Sequence, residues 1–286
     1  MTGFVEIALL LAAPLLIAAT GELLLERAGS IQIGLEGTML VGAFVAFAAG
    51  RGGLPPASSL AAAALAGFLA GLLFALFAVA RRADPILVGT VWNLLALGAT
   101  AFAYRLAAGE TGAVLEVRTL PRGLFGVPDA VLASFLAPVV LHFWLARTRA
   151  GLRLAAAGEN PEALRSLGLS VVAVRSGAAA ASGVLGALGG AMLILTVSPT
   201  FVEGVTAGRG FLALALVVFA RWKPLALLPA ALLLGGVTAL QYQLQAGGFG
   251  LPYAFFIALP GLVALGALAL ASTRGGAPKA LGSAAP

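Results

Sequence analysis

Long stretches of this chain run without polar interruption. Apolar segments fall at about 4–25, 31–50, 57–80, 86–104, 129–146, 172–197, 207–220, 224–244 and 253–271. Most approach the ~20 residues needed to cross a hydrocarbon core. Backbone groups in lipid must be satisfied within their own segment, so each run predicts a helix. The pattern predicts an all-α, polytopic transmembrane helical bundle of about nine segments, with residues 1–272 as one membrane domain. The run at 207–220 is short and follows Gly208, Arg209 and Gly210, which predicts a broken or half-membrane helix. The connection at about 105–128 is mixed and contains glycine, and predicts a lid or a short surface helix. The tail, 273–286, is small and Pro/Gly-rich, and predicts disorder.

One polar stretch interrupts the pattern. GENPEALRSLG, 158–168, is punctuated like a short helix. Asn160 suits the N-cap, Pro161 the first helical position, and Glu162 the positive end of the helix dipole. Gly168 suits the left-handed position after the last turn. Ala163, Leu164 and Leu167 share one side; Glu162, Arg165 and Ser166 share the other. About two turns of helix are not stable alone in water. The segment must therefore lie on the membrane surface or dock on a partner protein.

Composition agrees with the membrane reading. The 286 residues are 61% hydrophobic and 10% charged, where soluble domains are about a quarter charged. The 17 Lys and Arg outnumber 11 Asp and Glu, but their placement speaks for topology and not for nucleic acid. Loops around 27, 81–84, 147–175 and 221–223, with the C-terminal tail, hold twelve cations; the remaining loops hold five. Cationic loops stay cytoplasmic, which places the N-terminus outside and the C-terminus inside. The first apolar run lacks a basic leader and a small-residue cleavage site, and is expected to be a retained span. There is no cysteine, and the one histidine, His142, excludes a multi-histidine metal site. No phosphate-binding G-x-x-x-x-G-K-[ST] loop, HExxH or GxSxG occurs, which leaves an intramembrane enzyme without a catalytic set. GFLAG at 67–71 and GALGG at 186–190 predict helices whose backbones approach closely.

Polar groups inside spans are costly in lipid and so mark candidate function. Gln32 and Glu36 lie one turn apart, and Asn93 stands beside Trp92. Asn93 offers a donor and an acceptor, and Trp92 a stacking surface. These four are the candidate solute path, although Glu36 could equally brace a helix break and Asn93 an interhelical hydrogen bond. Glu22, Glu26 and Arg27 are expected to form a solvated or salt-bridged turn. His142 and Trp144 are expected to sit in the interfacial belt.

The residues RTRAGLRLAAAGENPEALRSLGLSVVAVRSGAAAASGVLGALGGAML, 147–193, resemble the cytoplasmic loop and following span of ABC-transporter permeases of the branched-chain amino acid, ribose and nucleoside group. Thr148, Gly151, Gly158, Asn160, Ala163 and Gly168 match that group's pattern, while Leu164 and Leu169 depart from its usual Ala and Ile. GELLLERAGSIQIGLEGTMLVGAF at 21–44, ADPILVGTVWNLLALGATAFAYR at 83–105 and FARWKP at 219–224 resemble the nucleoside-type members. The resemblance covers most of residues 10–245 in order. It implies a permease subunit of an importer in the bacterial plasma membrane, carrying nucleosides, with simple sugars or branched-chain amino acids as alternatives. It implies a coupling loop at about 147–171, whose Gly158, Glu159, Asn160, Pro161, Glu162, Ala163, Leu164, Leu167 and Gly168 would engage a cytoplasmic ATPase. A second, homologous permease subunit and an extracytoplasmic binding protein would complete the assembly within membrane lipid. No cofactor is expected on this chain; ATP would be used by the partner. An ion-coupled secondary transporter is the competing class, and it would leave the capped polar helix unexplained.

Overall fold

The computed structural model describes residues 3–108, 115–123, 126–246, 253–270 and 276–282. The apolar runs become helices. The first five are α1 (Phe4–Arg27), α2 (Leu35–Arg51), α3 (Pro56–Phe74), α4 (Pro85–Ala108) and α5 (Asp129–Arg147). Two short helices, α6 (Arg149–Glu159) and α7 (Pro161–Ser166), cap one end of the bundle. The chain then returns through α8 (Val171–Met192), α9 (Arg209–Phe219), α10 (Leu227–Ala246) and α11 (Tyr253–Leu270). α3 and α8 are prolonged by π-helical turns, Ala75–Ala80 and Leu193–Val197. Among the described residues the only extended pairings are two isolated bridges.

Among the described residues, six helical segments are long and apolar enough to cross a membrane: Phe4–Arg27, Pro56–Ala80, Pro85–Ala107, Asp129–Arg147, Val171–Val197 and Pro224–Ala246. α2 has 17 residues and α9 has 11, which is about 26 Å and 16 Å of helix against a core of ~30 Å. Both begin inside the bundle, where the chain breaks and turns.

α8 is the centre, with α1, α2 and α3 packed around it. Small residues make this possible. A Cβ on Gly67 would overlap the Gly183 carbonyl oxygen, and one on Gly190 would overlap that of Met39. Backbones in direct contact gain dispersion energy that bulkier helices in lipid cannot reach. α10 and α5 pack on α1, and α11 packs on α10 and α9. α4 stands outermost, resting mainly on α2, with Val91, Leu94 and Leu95 exposed. An apolar surface of this extent is suited to lipid or to a partner subunit.

Three sequence expectations change. Residues 149–159, read as loop, form an amphipathic helix, because the Thr148 hydroxyl caps it by accepting from Gly151 N–H at 3.0 Å. The described part of the outer loop, 115–123, is an extended strap and not a surface helix; Val117 N–H donates to Pro199 O and Leu120 N–H to Leu195 O. Residues 109–114 and 124–125 of that loop lie outside the described residues. In the tail expected to be disordered, residues 276–282 are packed instead. Pro278 is buried, Ala280 N–H donates to Gly158 O at 2.9 Å, and Gly282 N–H donates to Gly29 O at 3.2 Å. Unsatisfied carbonyls at the ends of α1 and α6 give the tail backbone its partners.

Candidate functional site

Two groupings carry the chemistry: the α7 helix at one end, and a polar centre inside the bundle. α7 is built as its residues foretell. The Asn160 side chain accepts from Ala163 N–H at 3.1 Å, and Pro161 occupies the first helical position. At the other terminus Leu169 N–H donates to Leu164 O and Gly168 N–H to Arg165 O, with Gly168 at φ +74. This pair of bonds closes the helix and fixes a left-handed residue that only glycine adopts without strain.

The helix does not present one uniform apolar face. Leu164 is only 2% exposed and packs among Ala157, Val171, Leu169 and Val174. Leu167 is 75% exposed and Ala163 is exposed. Leu164, grouped in the sequence with the partner-facing residues, is therefore the anchor that holds α7 to α6 and α8. Gly158 is likewise buried, and a Cβ there would overlap Arg27 O. Glu159, Asn160, Glu162 and Leu167 remain at the surface, and Pro161 partly so.

Arg175 fixes the base of this helix. Its side chain is 1% exposed, with Nε donating to Ala28 O at 3.0 Å and Nη2 to Ala157 O at 3.4 Å. The sequence pattern places it among the cations of the 147–175 loop; in the fold it is a staple between the end of α1 and the end of α6. A charged residue among apolar neighbours was the available signal.

The chain after α1 turns back into the bundle, so that Gln32 lies level with Glu22, about 8 Å inside the end of α1. Glu22 Oε1 accepts from Gln32 N–H at 2.8 Å, and Ser182 Oγ reaches Glu22 Oε2 at 3.5 Å. Glu26 accepts from the Trp222 indole N–H. Both carboxylates are buried, contrary to the expected solvated turn, and neither pairs with Arg27 among the described residues.

All four candidate path residues gather at the start of α2. Asn93 Oδ1 accepts from Gly37 N–H at 2.7 Å, and Nδ2 donates to Ile33 O at 3.0 Å. Thr38 Oγ1 accepts from Trp92 Nε1 at 3.0 Å and Gln32 Nε2 at 3.2 Å, and donates to Gly34 O at 3.1 Å. Glu36 reaches across to α9: Oε1 accepts from Thr206 Oγ1 at 2.6 Å and Gly208 N–H at 2.8 Å, and Oε2 from Gly210 N–H at 2.6 Å. The carboxylate thus caps a helix that begins within the bundle, where a negative charge meets the positive end of the dipole. Trp92, Asn93 and Glu36 are part-exposed, while Gln32 is fully buried with Oε1 lacking a partner among the described residues. Thr38 and Thr206, the hubs of this network, gave no sequence signal, since a threonine in a span is unremarked until its neighbours are known.

A sequence model of the family described as branched-chain amino acid transport system / permease component matches residues 4–268. The chain is 35% identical to the guanosine ABC transporter permease protein NupQ of Bacillus subtilis, over 96% of this chain and 93% of that protein. It is 36% identical to the nucleoside ABC transporter permease protein NupC of Lactococcus lactis, over 81% of this chain and 80% of that one. A second Bacillus subtilis protein, guanosine ABC transporter permease protein NupP, is 29% identical over 77% of this chain. These matches run through the membrane helices and α7 alike, and the chain belongs to that permease family, as a multi-pass membrane subunit of an ABC transporter.

Proposed function

We propose that this chain forms half of the translocation pathway of a nucleoside importer in the bacterial plasma membrane, with α7 docked on a cytoplasmic ATPase. The observation that carries the coupling role is α7 itself: capped at both ends, anchored by Leu164, and exposing Ala163 and Leu167. A short rigid helix with a buried root and an exposed apolar tip is suited to seat in a groove of another protein. The nucleoside substrate follows from the relatives' names. The two guanosine permease proteins of Bacillus subtilis, both similar to this chain, support pairing with a second, homologous subunit. The cation bias of the loops supports an external N-terminus and a cytoplasmic α7 end. The short helices α2 and α9, read as partial or tilted spans, bring the count to about nine membrane segments.

Motion at α7 has a physical route inward. Gly158 and Arg175 join its base to residues 27–29, and that link leads within a few residues to Gln32 and the start of α2. Glu36 then joins α2 to α9. Displacing α7 would therefore shift two interrupted helices whose ends surround the polar centre, an arrangement suited to gating. Trp92, Asn93, Glu36 and the open acceptor of Gln32 border the route there.

The test is uptake by the full transporter in proteoliposomes. Labelled guanosine should accumulate with ATP inside the cytoplasmic compartment, with other nucleosides competing and ribose and leucine failing to compete. Accumulation of ribose or leucine in place of guanosine would reassign the substrate. Uptake driven by an ion gradient without ATP would overturn the importer reading.

A further inference from the structure

At the α7 end of the bundle a groove of about 640 Å³ opens between the end of α1, the last turns of α5 and the turn leading into α10. Its polar lining is cationic or aromatic: Arg27, His142, Trp222 and Lys223. Leu145 and Leu225 are among the apolar residues that complete it, and Leu225 is 43% exposed. Among the described residues no carboxylate lines the groove. Glu26, the residue before Arg27, is buried; its Oε2 is engaged by the Trp222 indole, while its Oε1 has no partner among the described residues.

Arg27 is the informative residue. Among the described residues its buried Nε has no hydrogen-bond partner and its guanidinium no ion pair. A buried donor left without an acceptor is costly, by more than an ordinary hydrogen bond contributes. Arg27 also lines the groove and is part-exposed there, so an oxyanion in the groove would meet its unpaired guanidinium charge, with Lys223 adding charge at the rim.

We propose that this groove binds the phosphate headgroup of an anionic phospholipid, Arg27 and Lys223 holding the phosphate and Leu145 and Leu225 lying against the start of the acyl chains. The lipid source follows from position. The groove opens between the ends of two membrane-crossing segments, Asp129–Arg147 and Pro224–Ala246, so its mouth meets the headgroup layer and its floor is apolar. Basic pockets between helix ends at a membrane surface suit such headgroups. The site is independent of the transported solute. Because it touches Trp222 and Arg27, an occupied groove would brace the turn between α9 and α10 against α1.

The test is a titration of the full-length chain, purified in neutral detergent and stripped of lipid, with phosphatidylglycerol, followed by thermal unfolding and native mass spectrometry. Phosphatidylglycerol should raise the melting temperature saturably and remain bound, whereas phosphatidylcholine of the same chain length should do neither. Arg27→Gln should raise the half-saturating lipid concentration about tenfold. Lys223→Gln, an exposed position that leaves folding undisturbed, should raise it about fivefold. Should Arg27→Gln fail to fold, Lys223→Gln carries the result alone. Unchanged titrations in the folded variants would overturn the proposal. So would equal stabilisation by inorganic phosphate, which would assign the groove to a soluble anion.

Discussion

Asn93 stands eight residues into α4, and both polar atoms of its amide already serve the backbone of residues 33 and 37. Its removal would leave Gly37 N–H and Ile33 O without partners inside the bundle. Asn93→Ala should therefore cost about 2 kcal/mol or more of stability, read as a lower unfolding temperature in detergent. A variant with wild-type stability and a selective uptake defect would instead assign the amide to the solute. Glu36→Gln tests the neighbouring cap: it keeps the shape but leaves one neutral acceptor and turns the other oxygen into an NH2 donor facing a donor, and should cost about 2–3 kcal/mol. At the opposite end, Arg105 holds Glu203 by two bonds, at 2.7 and 3.1 Å. The bonded guanidinium keeps the Glu203 carboxyl below the usual carboxylate range. A depressed folded-state pKa stabilises above the unfolded value, about 4.3 for Glu, and that contribution is lost as pH falls through the folded value. The difference in melting temperature between wild type and Glu203→Gln should accordingly shrink as pH falls below about 4, and it should be small throughout, since both groups face solvent.

For the helices, α7 separates into a root and a tip. Leu164→Ala removes the buried root and should cost roughly 2–3 kcal/mol, loosening residues 160–169 to hydrogen exchange while the membrane helices stay protected. Ala163→Glu changes the exposed tip, where burying an unpaired carboxylate against a partner would cost several kcal/mol. It should leave hydrogen exchange in α7 unchanged, yet abolish uptake and release the ATPase from the membrane complex. Normal transport by Ala163→Glu with the ATPase still bound would make α7 an interfacial connector only. Ser166→Ala, beside it, should be near silent.

Across the whole molecule, stability depends on α8 touching its neighbours backbone to backbone. Gly67→Leu would drive a side chain into the Gly183 carbonyl of α8, where backbone cannot yield. It should sharply reduce the yield of folded, monodisperse protein on size-exclusion chromatography, by the cost of overpacking a close-packed seam. Gly98→Leu is the control, because a side chain there meets open space. Equal loss in both would mean that helix composition, and not the α3–α8 seam, limits folding.

The positions of the membrane helices, the shortness of α9 and both caps of α7 were legible in the residues alone. Each depends on neighbours within a few positions: apolar run length, a capping Asn, a proline at the first turn, a glycine after the last. What only the tertiary structure decided depends on distant partners. Leu164 faces inward because α6 and the start of α8 come together around it. Glu36 caps α9 across 170 or more residues of chain, and Arg175 meets Ala28 across 147. Glu22 and Glu26 are buried because Gln32, Ser182 and Trp222 supply their donors. Residues 276–282 pack because unsatisfied carbonyls at Gly29 and Gly158 lie side by side. A polar atom's role is set by which partner replaces water around it, and in this bundle those partners come from other helices.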